Sequence, residues 1–351
     1  MKMCQAFADN GHDVELVAPD QSFAAADGAA TFAFYAVRPV FTLTKISRSK
    51  RRWGTLQYAY KASRHAQRAG PDLVYGRDVQ ACYQATLRGL PVVLEVHDLG
   101  SVMRGQHHRL AFSMLVRANT FRYLVVISRA LADDVVALYP RLAGRVRVAH
   151  DGADPVVNQD RRTVFGPGSA VLRAGYIGNI YPGRGLELLE AIARRLAWLD
   201  LHVVGRWDAK LETGGRDPSL PANIRLHGFL PYADAERVRT ACDVLLAPYQ
   251  RQVRTHGGSD TSRWMSPLKL FEYMAAGKAI VCSDIAVLRE VLEHDKTAWL
   301  CPPDDIDAWC AALTALRDNA QLRRRLGVAA QEALLRSHTW KSRAAVVLEM
   351  P

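Results

Sequence analysis

The chain has 351 residues, 49% of them hydrophobic and 23% charged, and it carries a net charge of +11. That length exceeds one ordinary core and predicts two domains. No apolar run approaches the roughly 18–20 residues of a membrane-spanning helix, and the opening MKMCQAFADN does not read as a signal peptide. The six cysteines (Cys4, Cys82, Cys242, Cys282, Cys301 and Cys310) form no C-x-x-C pair and no cluster with histidine. Such spacing argues for reduced thiols in a cytoplasmic protein and against a structural zinc site.

In chain order, Met1, Cys4 and Phe7 recur at helical spacing, and Asn10-Gly11 stops that helix before the first strand. A doubly wound sheet normally has a strand ahead of its first helix, so the expectation is a natural start upstream of Met1. Strands are predicted over 13–19, 72–77, 91–98, 123–128 and 146–152. A second series covers 173–179, 201–206, 223–229, 243–249 and 279–284. These runs are short and mostly unbroken in apolar character, as strands covered on both faces must be. Helical stretches fill the intervals, so the class is α/β with parallel sheets. The polar join 158–170 separates the series and suggests two Rossmann-like domains.

Much of the positive charge lies between Lys45 and Arg68, interleaved with Trp53, Tyr58 and Tyr60. Three readings fit: a solvated helix face, a surface for anionic lipid headgroups using Arg48, Lys50, Arg51, Arg52 and Trp53, or a nucleic-acid patch. No helix-turn-helix, zinc-finger or RNP-type signature accompanies the segment, which ranks nucleic acid last.

Three stretches could carry chemistry. In LEVHDLG, Glu95, His97 and Asp98 stand at a strand's carboxyl end, where open α/β sheets bind ligands. A histidine beside two carboxylates could orient a substrate hydroxyl, or could be satisfied by its neighbours. His107-His108 lack the spacing of a helical zinc pair and read as solvated. In GYIGNIYPGRGLELL a strand ends at Gly178, and a Pro-Gly-Arg-Gly loop leads into a helix. Gly178 and Gly185 would let backbone approach a ligand, and Arg184 offers a planar charge suited to a diphosphate; a plain surface turn is the alternative. In SPLKLFEYMAAG, Ser266 reads as an N-cap with Pro267 at the first helical position and Gly277 as the stop. The free N–H groups of such a start form an anion site. Lys269 sits where the helix dipole prefers a carboxylate, which makes sense if an anion lies in front. Glu272, one turn on, could accept from a ribose diol, or could simply pair with Lys269.

Taken together, EVHD, VVISRALADDV, VAHDGAD, GYIGNIYPGRGLELL, LHVVGR, NIRLHGFLPYADAERVRTACDVLLAPY, SPLKLFEYMAAGKAIVCSD and HTWKSRA resemble, in order, the blocks of family 4 glycosyltransferases of the GT-B fold. The resemblance implies two Rossmann-like domains facing a cleft: an acceptor-side domain over 1–160 without its first strand, a nucleotide-sugar domain over 161–338, and a C-terminal helix over 339–351. It implies a retaining, metal-independent sugar transfer with no cofactor beyond a UDP- or GDP-linked donor. The acceptor would be a glycan or lipid-linked glycan of a bacterial surface polysaccharide. Arg184 and the start of the helix at Ser266, Pro267, Leu268 and Lys269 would meet the diphosphate, Gly178 and Gly185 would line it, and Glu272 would hold the ribose. Backbone at His227, Gly228 and Phe229 would read the base, and His97 would contact the transferred sugar. The expected location is cytoplasmic, peripheral on the inner membrane face.

Two positions depart from the family pattern: Trp264 stands where many members carry the first Glu of a Glu-x7-Glu pair, and Asn179 replaces a basic residue. Two other functions therefore stay open, a catalytically silent GT-B binding or partner subunit and a sugar-nucleotide 2-epimerase.

Overall fold

The computed structural model describes residues 1–20, 28–49, 53–103, 105–156, 165, 172–179, 183–206, 219–253 and 260–349. Lys50, Arg51 and Arg52, and the predicted join 158–170 apart from Phe165, lie outside the described residues. The chain divides into two compact units, Met1–His150 with Arg343–Pro351, and Asp151–Ser342.

The first unit runs α1 (Lys2–Asp9), β1 (Glu15–Asp20), α2 (Gly28–Phe34), β2 (Thr42–Ser47), α3 (Gly54–Ala69), β3 (Val74–Gly76), α4 (Val79–Thr86), β4 (Val92–Val96), α5 (Leu99–Met103), α6 (Gly105–Leu115), β5 (Phe121–Val126), α7 (Arg129–Leu138) and β6 (Val146–Val148). Its strands form a four-stranded parallel sheet in the order β3-β4-β5-β6 and a separate parallel pair, β1-β2. Val92, Val93, Leu94 and Val96 of β4 are buried, whereas β1 and β2 are only partly covered. Strand β2 breaks the basic segment: its alternating Thr-Leu-Thr-Lys-Ile-Ser carries too few apolar residues to stand out from the arginines that follow. His107 is exposed, but His108, expected in solvent, is partly covered and within 3.1 Å of Gln80 Nε2.

The second unit continues with β7 (Leu172–Ile177), α8 (Leu186–Arg195), β8 (Leu199–Val204), β9 (Ile224–Leu226), α9 (Tyr232–Ala241), β10 (Val244–Ala247), α10 (Leu268–Ala275), β11 (Ala279–Ser283), β12 (Trp299–Cys301), α11 (Ile306–Asp318) and α12 (Ala320–Ala333). A final helix, α13 (Trp340–Leu348), returns to the first unit from Arg343 onward. Six parallel strands form one sheet, β12-β11-β10-β7-β8-β9. Successive side chains alternate between two cores, as the pleat requires. Ile177, Leu245, Ile280 and Cys282 meet α10 on one face. Tyr176, Leu246, Val281 and Val203 meet α8 and α11 on the other. The strand order reverses between β7 and β10, so the loops leaving their carboxyl ends flank the switch point where ligands bind in open α/β sheets.

Candidate functional site

At that switch point the loop after β7 turns on glycines. Gly178 has φ +147°, a conformation that L side chains rarely adopt, and a Cβ there would lie 2.9 Å from Lys269 Nζ and press on the lysine end. Gly185, at φ +86° ahead of α8, fits against the Pro248 carbonyl oxygen, which any side chain would overlap. Between them Arg184 lies over the Tyr249 ring at 5.2 Å. Lys269 approaches the same ring from α10 at 5.3 Å and the Tyr176 ring at 3.9 Å. Lys269 is partly exposed as a residue, but its Nζ is buried with no hydrogen-bond partner among the described residues, as is Nε of Arg184. Burial pulls the Lys269 amine well below its ordinary range, the neighbouring Arg184 charge pulls the same way, and Glu272 offsets only part of this. Lys269 and Arg184 thus share an aromatic shelf with no ion pair to either among the described residues, an arrangement that costs stability unless a ligand completes it.

The start of α10 differs from the sequence expectation. Pro267, not Ser266, is the N-cap, and neither supplies a side-chain cap. Ser266 is buried, and its Oγ accepts from the Asp151 backbone N–H at 2.8 Å. The first-turn N–H groups beyond Pro267 are therefore not taken up by Ser266, and Leu268 beside them is exposed. Gly277 stops the helix as expected, at φ +63°. The alternative Lys269–Glu272 pair does not form: Glu272 instead accepts from the buried Arg239 Nη1 at 2.9 Å. One carboxylate oxygen of Glu272 is thus committed to Arg239.

The loop after β9 is stitched to the end of β8, with Gly205 N–H donating to the Gly228 carbonyl and His227 N–H to that of Val203, at 2.8 and 2.9 Å. Phe229 is exposed, with the Arg206 guanidinium 5.6 Å from its ring centre. Asn179 caps the neighbouring turn, its Oδ1 accepting from Arg206 N–H at 3.2 Å. Gly178, Arg184, Gly185 and Lys269 therefore form one contiguous group, and His227, Gly228 and Phe229 are tied to the adjoining strand end.

His97 belongs to the first unit and stands just beyond β4. Its Nε2 meets Glu95 Oε1, while Glu95 Oε2 accepts from Tyr75 Oη and, at 2.9 Å, from Arg343 of α13. Burial alone would raise the Glu95 pKa. The His97 hydrogen bond and the Arg343 charge outweigh it and hold the carboxyl below its usual range. Arg343 also donates to the carbonyls of Ala149 and His150 at 3.2 and 2.9 Å. His97 is therefore oriented through one nitrogen by a neutralised carboxylate.

The sequence model of Glycosyltransferase Family 4 matches residues 1–157, and that of Glycosyl transferases group 1 matches residues 172–319. The chain belongs to the family 4 glycosyltransferases. It is 31% identical over 169 residues to the phosphatidyl-myo-inositol mannosyltransferase of Mycobacterium tuberculosis, covering 47% of this chain and 41% of that protein. It is 27% identical over 136 residues to the amylovoran biosynthesis glycosyltransferase AmsK of Erwinia amylovora, covering 38% and 32%. These matches span less than half the length of either relative. The structure of HepE from Anabaena in complex with UDP superposes with a TM-score of 0.69 at 15% identity, covering 99% of this chain and 94% of that one. A glycosyltransferase from Rickettsia africae gives 0.70 at 13%, covering 99% and 92%. The architecture is therefore GT-B, two Rossmann-like units with parallel sheets.

Within this glycosyltransferase frame, sequence reasoning missed Tyr176 and Tyr249, the shelf under the cations, and Arg239, which anchors Glu272. Tyr249 ends a motif stretch, DVLLAPY, that marks a strand and its exit; the aromatic role needs the fold. Among the described residues no helix is long and apolar enough to cross a membrane.

Proposed function

We propose that this family 4 glycosyltransferase moves a hexose or N-acetylhexosamine from a nucleotide-sugar donor, UDP- or GDP-linked, to a glycan or lipid-linked glycan during bacterial surface polysaccharide synthesis. The observation that carries this reading is the buried Lys269 Nζ and Arg184 Nε, both without a hydrogen-bond partner among the described residues, beside the first turn of α10. A leaving nucleoside diphosphate supplies the missing charge, and the amides of that turn add to it. Arg184, together with Lys269 once a bound diphosphate favours its charged form, stabilises the leaving group without a divalent metal, and the transfer retains the anomeric configuration.

In this reading Gly178 and Gly185 admit the diphosphate, Glu272, held by Arg239, takes the ribose, and the base lies at His227, Gly228 and Phe229. His97, oriented by Glu95, contacts the transferred sugar. Trp264 and Asn179 make sugar recognition differ from that of members with Glu and a basic residue there. The relatives support the substrate class: their names refer to phosphatidyl-myo-inositol mannosylation and amylovoran biosynthesis, and HepE has also been crystallised with UDP-glucose.

The test incubates the full chain with UDP-glucose or GDP-mannose and lipid-linked saccharide acceptors while following nucleoside diphosphate release. Acceptor-dependent release is expected. Binding without release or hydrolysis would instead identify a silent subunit, and isomerised donor an epimerase. For the acceptor side, Arg48, Arg64 and Arg68 are exposed near Trp53 and Tyr60, themselves 64% and 50% exposed. This basic-aromatic face is proposed to touch anionic headgroups at the inner membrane surface. Co-sedimentation with anionic but not neutral vesicles is expected; equal sedimentation with both contradicts it.

A further inference from the structure

His227 is joined to a buried hydrogen-bonded chain that the donor reading does not use. His202, on β8, is 1% exposed. Its Nδ1 lies 2.9 Å from His227 Nε2, and the two rings are nearly parallel, with 21° between their planes. On its other side, His202 Nε2 faces Asp200 Oδ2 at 3.3 Å, within electrostatic reach though not aligned for a full hydrogen bond. Asp200 in turn accepts from Arg225 Nε at 2.6 Å. Phe165 covers the His202 ring at 3.8 Å between centroids.

These contacts decide where the protons sit. The His202 nitrogen facing a carboxylate carries its hydrogen, because a lone pair there would be repelled. A neutral imidazole has one donor and one acceptor, so His202 Nδ1 accepts. His227 must then donate from Nε2, which leaves its Nδ1 an acceptor. Burial disfavours the charged form of both rings, more than Asp200 compensates, so each keeps a single ring proton near neutral pH. His227 is partly exposed, and its Nδ1 has no partner among the described residues.

We propose that Asp200 and His202 lock His227 as a hydrogen-bond acceptor toward the nucleobase, selecting bases with a ring N–H at the pairing edge. Uracil (N3–H) and guanine (N1–H) supply that donor. Cytosine and adenine present a lone pair at the corresponding atom and meet acceptor against acceptor. His202 is thus a positioning residue for base specificity, and the inference rests on the base lying at His227–Phe229 as proposed above.

The test is calorimetric titration of UDP, GDP, CDP, ADP and N3-methyl-UDP into the full chain, then into His202→Phe and His202→Asn. UDP and GDP should bind at least about tenfold tighter than CDP, ADP and N3-methyl-UDP, a factor worth one buried hydrogen bond. His202→Phe, which removes the acceptor that fixes the tautomer, should erase that preference while binding persists. His202→Asn, whose amide oxygen can replace Nδ1, should restore it. The N3-methyl comparison needs no variant and stands even if His202→Phe does not fold. Equal binding of all five ligands by the unsubstituted chain, or an intact preference in His202→Phe, would overturn the inference while leaving the donor site standing. Binding of none would overturn both.

Discussion

Each unit of the molecule buries a charge cluster, and the two are completed differently. In the first, Glu95 is surrounded by His97, Tyr75 and Arg343, so the carboxylate is neutralised and both its oxygens are engaged. In the second, Lys269 and Arg184 converge on Tyr249 with no anion and with unpartnered nitrogens among the described residues. A closed cluster supports the fold and orients a side chain. An open one is paid for in stability and makes physical sense as a ligand site.

The largest effect should come from opening the closed cluster. Arg343→Met leaves Glu95 buried without its cation, and loss of one partner from a buried pair costs about 3–5 kcal/mol. Urea unfolding should show that loss, and an unchanged midpoint would contradict the reading of Glu95 as a structural charge. The reciprocal change in the open cluster should have the opposite sense. Lys269→Met removes an amine that burial disfavours, so it should leave stability unchanged or raise it by about 1 kcal/mol, within the range seen when buried charge is replaced by apolar groups. A large destabilisation would mean that Lys269 is structural.

A smaller effect follows from proton linkage. The Lys269 amine is lowered from the ordinary 10.5 by burial and by Arg184, so the unfolded chain binds more protons between the two values. Stability of the unsubstituted chain should therefore rise relative to Lys269→Met as pH increases toward 10.5. A bound diphosphate favours the charged amine and should flatten that slope. Parallel pH dependence of the two proteins, measured by urea midpoints, would show that Lys269 does not titrate differently on folding.

Much of this was legible in the sequence. Val244–Ala247 and Ala279–Ser283 are buried on both faces, and their near-continuous apolar runs say so, whereas Leu199–Val204 is equally buried although Asp200 and His202 interrupt its run. Trp299–Cys301 was not, because three residues beside a proline pair carry no period. In the site, Arg184, Lys269 and Glu272 could be picked out because helix starts and glycine turns have local signatures. Tyr176, Tyr249 and Arg239 could not, since they come from β7, the exit of β10 and α9, and only the fold brings them to the same place. Ser266 was misread as a cap for a similar reason: its partner, the Asp151 N–H, lies 115 residues away.

A diphosphate held at the open cluster should depend on Lys269, and calorimetric titration of UDP and GDP into the unsubstituted chain and Lys269→Met measures that dependence. Saturable binding by the unsubstituted chain, weakened at least about tenfold in the variant as expected for a lost charge-assisted hydrogen bond, is the predicted result. Equal affinity in the two proteins, or no binding of either nucleotide by the unsubstituted chain, would contradict it.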